Sequence, residues 1–130
     1  MIVEREVIRT DKAGRAKGPF VQAIKVGNIL YMSGCRGIDP KTNRVRKDDI
    51  RAEARQVMEN MKGVVEEAGG SMKNVIATTV YVRDMYRHRP VINELYEEYF
   101  GETMPTRTIV EISRLNEDSN VEITATAWIP

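Results

Sequence analysis

A long amphipathic pattern between residues 48 and 68 constrains the fold more than any other feature of the sequence. Apolar residues recur there at spacings of three and four, which places them on one face of a helix. These residues are Ala54, Val57, Met58, Met61, Val64, Val65 and Ala68. Asp48 and Asp49 suit the positive N-terminal end of a helix, and Gly69-Gly70 can supply the left-handed residue that ends one. We therefore predict a helix over residues 48–68.

Strand patterns lie on both sides of this helix. Residues 20–33 contain two short apolar segments around Gly27-Asn28, and these two residues accept the positive φ of a tight hairpin. Residues 74–82 are rich in β-branched side chains. Residues 107–112 and 121–128 are separated by a turn of Asn, Asp and Ser, and apolar residues alternate cleanly in the second of them. We expect all five segments to be strands.

The remaining segments complete an α+β pattern. A second helix is expected to begin near Pro90 and to end at Phe100, since proline suits the first position of a helix. Residues 33–43 are rich in Gly, Pro and Asx residues and are expected to form a loop where the chain leaves the sheet. The order of elements predicts one domain over residues 1–130, a sheet with two helices packed on one side.

Composition and charge exclude several classes of function. Twenty Lys and Arg against nineteen Asp and Glu leave a net charge of +1, which gives little attraction to nucleic acid. Cys35 is alone, so no internal disulfide is expected, and there is no apolar run of a secretory signal or membrane span. We expect a soluble cytoplasmic protein with neither a nucleic-acid nor a membrane partner.

Metal and nucleotide sites also lack support in the sequence. One histidine and one cysteine, His88 and Cys35, are too few for a transition-metal site, so no metal is expected. Neither glycine-rich pattern for nucleotide phosphates occurs. Cys35 and His88 could form a nucleophile and its base, but a lone thiol is more often a small buried hydrophobic group.

Two charged residues near the strand ends could belong to a binding site. Arg107 opens a predicted strand directly after Met104-Pro105-Thr106. Its planar guanidinium suits a two-point contact with a carboxylate, although most arginines simply lie on the surface. Glu122 lies between two apolar residues, where it is either solvated or lines a pocket and positions water as an acid or base. The residue pattern leaves both alternatives open.

The same region resembles a known family. The run Pro105-Thr106-Arg107-Thr108-Ile109-Val110-Glu111-Ile112-Ser113-Arg114-Leu115, followed after five residues by Val121-Glu122-Ile123, is similar to the signature of the RidA (YjgF) family of enamine and imine deaminases. Further matches are Gly18-Pro19-Phe20-Val21-Gln22, Gly27-Asn28, Ser33-Gly34, Glu66-Glu67-Ala68-Gly69-Gly70 and Asn93-Glu94-Leu95-Tyr96. The resemblance covers nearly the whole chain.

This resemblance implies a chorismate-mutase-like α+β fold that assembles as a homotrimer. The sheets would form a central barrel with the helices outside, and the sites would lie in clefts between subunits. No cofactor is implied. The reaction implied is the hydrolysis of a small 2-imino or enamino carboxylic acid to the keto acid and ammonia.

The resemblance also assigns roles to individual residues. Arg107 would bind the substrate carboxylate, and Glu122 would position the hydrolytic water. Backbone groups around Ile109 would hold the imine nitrogen. The pocket would also be lined by Ser33, Cys35, Asn93 and, from the neighbouring chain, Phe20.

Three of these positions depart from the family pattern. Deaminating members usually have Tyr at the position of Phe20, commonly Cys at Ile109 and often Gln at Cys35. Loss of the phenol removes a hydrogen-bond donor, and Ile109 makes the pocket wall apolar and larger. Two alternatives therefore remain open: preference for another enamine, such as an aminomuconate or aminoacrylate type, and a trimer that binds a small carboxylate or a regulatory partner without catalysis.

Overall fold

The computed structural model describes residues 4–130, so residues 1–3 of the predicted domain lie outside it. Its elements are, in chain order, β1 (Arg5–Ile8), β2 (Ala23–Val26), β3 (Ile29–Met32), β4 (Ile38–Asp39), β5 (Arg44–Val45), α1 (Ile50–Glu67), β6 (Val75–Val82), α2 (Met85–Phe100), β7 (Thr106–Glu111) and β8 (Val121–Trp128). Six strands form one sheet in the order β1-β2-β3-β8-β6-β7, in which β6 and β7 are parallel and the other neighbours antiparallel. The predicted mixed sheet with two helices is confirmed.

The first helix, α1, lies within the predicted segment. The Asp49 side chain caps it by accepting a hydrogen bond from the Ala52 amide at 2.7 Å. Gly69 follows the helix with a φ of +95°, a conformation that favours glycine. Val57 and Val65, both from the predicted apolar face, are fully buried. Local signals were therefore sufficient to predict this element.

The second helix begins earlier than predicted. α2 starts at Met85, so Pro90 lies inside the helix and not at its first position. The Asp84 carbonyl accepts hydrogen bonds from two amides of the first turn at 3.1 and 3.0 Å, and the Glu111 side chain accepts one from the Met85 amide at 2.9 Å. Pro90 has no N–H to donate to the Tyr86 carbonyl, and Tyr86 lies in the exposed first turn of the helix. Contacts from β7 thus extend the helix toward its N-terminus, to residues that precede the proline.

Both helices cover one face of the sheet, as predicted. The β8 side chains Val121, Ile123, Ala125 and Ala127 are buried and alternate with more exposed residues. They belong to one core with side chains from both helices, among them Met58 and Leu95. On the opposite face Tyr31 and Trp128 remain 56% and 48% exposed. Within residues 4–130, one face of the sheet is therefore uncovered in the single chain.

Residues 33–43 are more ordered than the predicted loop. Cys35 forms an isolated antiparallel bridge with Ile123, with N···O distances of 2.8 and 3.0 Å. The chain therefore stays on the sheet beyond Ser33, and the hairpin of β4 and β5 follows. Strands this short carry no alternation that a sequence pattern could reveal. The four-residue strand β1 was not predicted either. No helix within residues 4–130 is long and apolar enough to cross a membrane.

Candidate functional site

Arg107 and Asn93 lie together on the helix side of the sheet. Arg107 is on the edge strand β7, opposite Thr78 of β6. Its Nη1 donates a hydrogen bond to Asn93 Oδ1 of α2 at 2.7 Å. Its Cζ lies 5.0 Å from the centre of the Tyr96 ring, a distance typical of a cation–π contact. Two side chains of α2 therefore orient the guanidinium.

The Arg107 guanidinium is exposed and has most of its donors free. Within residues 4–130, no Asp or Glu oxygen lies within 4.0 Å of it. Its hydrogen bond to Asn93 goes to a neutral amide oxygen, which uses one of the five N–H groups of the side chain. A guanidinium held in place without a charge partner can accept a carboxylate on its remaining edge.

Ile109 lies beside Arg107 on the same strand and the same face. It is paired with Val80 of β6, and its half-buried side chain packs against the core. As β7 is the last strand of the described sheet, its outer backbone groups have no strand partner there. The Ile109 side chain forms an apolar wall, and backbone groups near it are open to a ligand.

A second group of predicted residues lies elsewhere, at the end of β3. Phe20, Ser33, Cys35 and Glu122 line one cavity of about 350 Å³. The Ser33 hydroxyl donates a hydrogen bond to the Val21 carbonyl at 2.6 Å and so holds the loop that carries Phe20. Phe20 itself is 49% exposed. These four residues form the second half of the candidate site.

Burial largely determines the chemistry of Cys35 in this cavity. Desolvation, with a smaller contribution from the negative charge of Glu122, raises the pKa of the Cys35 thiol to about 12. The thiol is therefore protonated at neutral pH and is a weak nucleophile. His88 lines a different cavity, and its Nδ1 lies 2.6 Å from the Arg83 carbonyl oxygen. The nucleophile-and-base pair of Cys35 and His88, which the sequence made a weak alternative, is not assembled.

Glu122 lies across Gly34 and beside Arg36. A Cβ atom on Gly34 would overlap with Glu122 Oε2, so the carboxylate occupies the space that a side chain would need. Arg36 Nε lies 3.7 Å from Glu122 Oε1. Arg36 is only 8% exposed and was missed by the sequence analysis, because nothing in the local pattern predicts burial of an arginine in a glycine-rich loop.

Arg107 and Glu122, one from each half of the candidate site, face opposite sides of the sheet. Arg107 pairs with Thr78, which is buried beneath the helices, whereas Glu122 pairs with Tyr81 on the other face. Thr78 and Tyr81 are three residues apart on β6, and β7 and β8 lie on either side of β6. The Cα atoms of Arg107 and Glu122 are therefore about 14 Å apart. A small ligand cannot contact both side chains of one chain. Within the described residues, no three His, Cys, Asp or Glu side chains are grouped as a metal ion would require.

Comparison with known proteins gives a consistent family. Residues 10–129 match the family model described as Endoribonuclease L-PSP. A RutC family protein of Pyrococcus horikoshii is 48% identical over 124 residues, which cover 95% of this chain and 98% of that protein. The 2-iminobutanoate/2-iminopropanoate deaminase of Salmonella typhimurium is 40% identical over 125 residues, with 94% and 96% covered. The crystal structure of RidA from an Antarctic Psychrobacter matches with a TM-score of 0.91 at 39% identity, over 95% of this chain and 99% of that one. The chain belongs to the RidA (YjgF) family, to which this family model corresponds.

Proposed function

We propose that this protein hydrolyses a small 2-imino or enamino carboxylic acid to the keto acid and ammonia. The observation that carries the proposal is the Arg107 guanidinium, which Asn93 and Tyr96 hold in place and which has no carboxylate partner within residues 4–130. Such a group binds the carboxylate of a ligand in two-point geometry. The relative named as an iminobutanoate and iminopropanoate deaminase supports the choice of reaction.

The site of this reaction lies between subunits of a homotrimer in our proposal. Arg107 and Glu122 face opposite sides of the sheet, about 14 Å apart at their Cα atoms. A cleft between two copies can bring Arg107 of one protomer to Glu122 of its neighbour. The exposed edge strand β7 and the uncovered face with Tyr31 and Trp128 offer surfaces for that contact.

The chemistry requires positioning and needs no cofactor. Water adds to the imine carbon, and the resulting carbinolamine loses ammonia to leave the keto acid; an enamine first takes a proton at carbon and loses one from nitrogen to become the imine. Arg107 binds the carboxylate, while Glu122 accepts a hydrogen bond from the attacking water and can take its proton. Backbone groups near Ile109 hold the nitrogen. Both partners of the reaction are thereby fixed within one cleft.

The lining of the cleft determines the choice of substrate. Phe20 offers an apolar ring without a hydroxyl, and Ile109 offers an apolar wall. We expect short aliphatic imino acids to be preferred over those with a polar side chain, because a polar group would lose its hydrogen bonds to water there.

The direct test generates 2-iminobutanoate in situ and follows its hydrolysis with and without the protein. Arg107→Ala is expected to lower kcat/KM by about 10²-fold, since it removes a charged two-point contact. Arg89→Ala is the matched control, because Arg89 is an exposed arginine of α2 with no part in the site. An Arg107→Ala variant as active as Arg89→Ala would remove the anchoring role, and a wild type without acceleration would remove this substrate.

The shared cleft has its own test. Arg107→Ala and Glu122→Gln, each of low activity, are mixed and allowed to exchange subunits. If each site takes Arg107 from one chain and Glu122 from its neighbour, about a quarter of the sites in an equal mixture regain both residues. No recovery after verified exchange would contradict the proposed cleft.

A second candidate function is binding of a small carboxylate without catalysis. The observation that favours it is the apolar lining itself, since neither Phe20 nor Ile109 offers a side-chain hydrogen-bond donor to the imine. This candidate predicts saturable binding of 2-oxobutanoate that Arg107→Ala abolishes, with no ammonia released from any imino or enamino acid. Measurable ammonia release by the wild type would exclude it.

A further inference from the structure

Arg36 is a buried cation that the proposed reaction leaves unused. It is 8% exposed and lies in the loop between β3 and β4. Its Nη1 donates hydrogen bonds to Glu117 Oε1 at 3.0 Å and to the Asn116 carbonyl at 3.4 Å. Its Nε lies 3.7 Å from Glu122 Oε1. One guanidinium therefore connects the turn before β8 with the glutamate on β8.

The turn that holds Arg36 is itself fixed by several contacts. Lys17 Nζ donates to both Glu117 oxygens at 3.1 and 3.2 Å and to the Asn43 carbonyl at 2.6 Å. Burial raises the pKa of Glu117, but the hydrogen bonds from Arg36 and Lys17 outweigh it and hold that pKa below its ordinary value. Glu117 has a φ of +56°, which non-glycine residues rarely adopt. These contacts keep Glu117 charged and in place, so it is a firm anchor for Arg36.

The carboxylate of Glu122 is held on two sides. Oε2 lies over Gly34, where any side chain would displace it, and Oε1 faces Arg36. At 3.7 Å the contact with Arg36 is an ion pair without a hydrogen bond. Arg36 therefore restrains the carboxylate and leaves its lone pairs available to water.

We propose that Arg36 is a positioning residue for the deamination. It orients the Glu122 carboxylate so that one of the carboxylate oxygens accepts a hydrogen bond from the attacking water. The inference rests on the proposed function. Arg36 is not assigned the substrate carboxylate, because it is buried and its charge already faces the carboxylates of Glu117 and Glu122, whereas Arg107 has no carboxylate partner within residues 4–130. The two arginines thus have different roles: Arg107 binds the substrate carboxylate, and Arg36 acts through Glu122.

The test separates kcat from KM. Arg36→Met keeps most of the side-chain volume and removes the charge, so kcat for 2-iminobutanoate should fall by about 10-fold or more, part of what a positioned base contributes. KM should stay within about 2-fold, because the Arg107 contact is untouched. Glu117→Gln keeps Arg36 and weakens its anchor, so we expect a smaller loss of kcat. Arg36→Lys restores the charge and should recover part of the kcat lost in Arg36→Met.

Controls distinguish a failure of this inference from a failure of the proposed function. Circular dichroism, oligomeric state and the Arg89→Met variant report on folding and on arginine loss in general. If the wild type hydrolyses 2-iminobutanoate but Arg36→Met keeps its kcat, or if Arg36→Lys is as impaired as Arg36→Met, the positioning role is overturned. If the wild type hydrolyses no imine, crystal structures of the wild type and of Arg36→Met still test whether Arg36 positions Glu122. Glu122 should change its rotamer in Arg36→Met, and an unchanged carboxylate would refute the inference.

Discussion

Glu53 is a buried carboxylate whose removal should strongly destabilise the protein. It lies in the first part of α1 and is 0% exposed. Its Oε2 accepts hydrogen bonds from the backbone amides of Asn120 and Val121 at 2.7 and 3.3 Å, and its Oε1 accepts one from Asn120 Nδ2 at 2.9 Å. This side chain therefore fixes the first residues of β8, directly before Glu122.

The expected loss follows from the donors that Glu53→Ala would leave without a partner. Two of them are backbone amides at the start of a buried strand, and each such unsatisfied group costs about 1–3 kcal/mol. We therefore expect the free energy of unfolding to fall by about 2–6 kcal/mol in Glu53→Ala. Glu53→Gln keeps one oxygen but turns an amide group toward a donor, so its loss should be smaller, about 1–3 kcal/mol.

Urea unfolding measures this difference. The protein concentration must be equal in all samples, because association of subunits shifts the apparent stability. Glu66→Ala is the matched control on the exposed side of α1 and should stay within about 0.5 kcal/mol of the wild type. A loss below about 1 kcal/mol in Glu53→Ala would refute the reasoning, since it would mean that water replaces the carboxylate at these amides.

Three further outcomes follow from other contacts in the structure. With its pKa raised to about 12 by desolvation, Cys35 should react with iodoacetamide at pH 8 at least about 10²-fold more slowly in the folded protein than in urea; equal rates would contradict the raised pKa. Gly34→Ala should abolish most of the proposed imine hydrolysis without unfolding the protein, because its Cβ would displace Glu122 Oε2; wild-type kcat would show that this orientation does not matter. Tyr96→Phe should lower the free energy of unfolding by about 1 kcal/mol, as its hydroxyl donates to Thr78 Oγ1 at 2.8 Å in the core; thermal unfolding that matches the wild type would contradict this.

The parts of the fold that could be predicted from sequence are those whose signals are local. α1 carries its own cap, apolar face and terminating glycine, and β8 carries its own alternation. The start of α2 depends on Glu111, a residue of a later strand, so Pro90 alone was misleading. The two-residue strands β4 and β5 are too short for any periodic pattern.

The candidate site likewise contains residues that could be predicted from the sequence and one that could not. The family resemblance named Arg107 and Asn93, which lie in hydrogen-bond contact, and it named Phe20, Ser33, Cys35 and Glu122, which line one cavity. Arg36 was not predicted, because its burial depends on a turn some eighty residues later in the chain. Burial of a charge is a property of the three-dimensional contacts, and the sequence around it carries no sign of those contacts.

The central place of β8 has a consequence for how the molecule folds. The hairpin of β2 and β3 and the β6-α2-β7 unit can each form from neighbouring segments, but β8 must insert between them and pair with both. Its pairing with β3 closes a loop of most of the chain, Leu30 lying opposite Ala127. We expect this closure to limit the folding rate, because such non-local pairing forms late and slowly. The strand that carries Glu122 is therefore the one that joins the two halves into a single sheet.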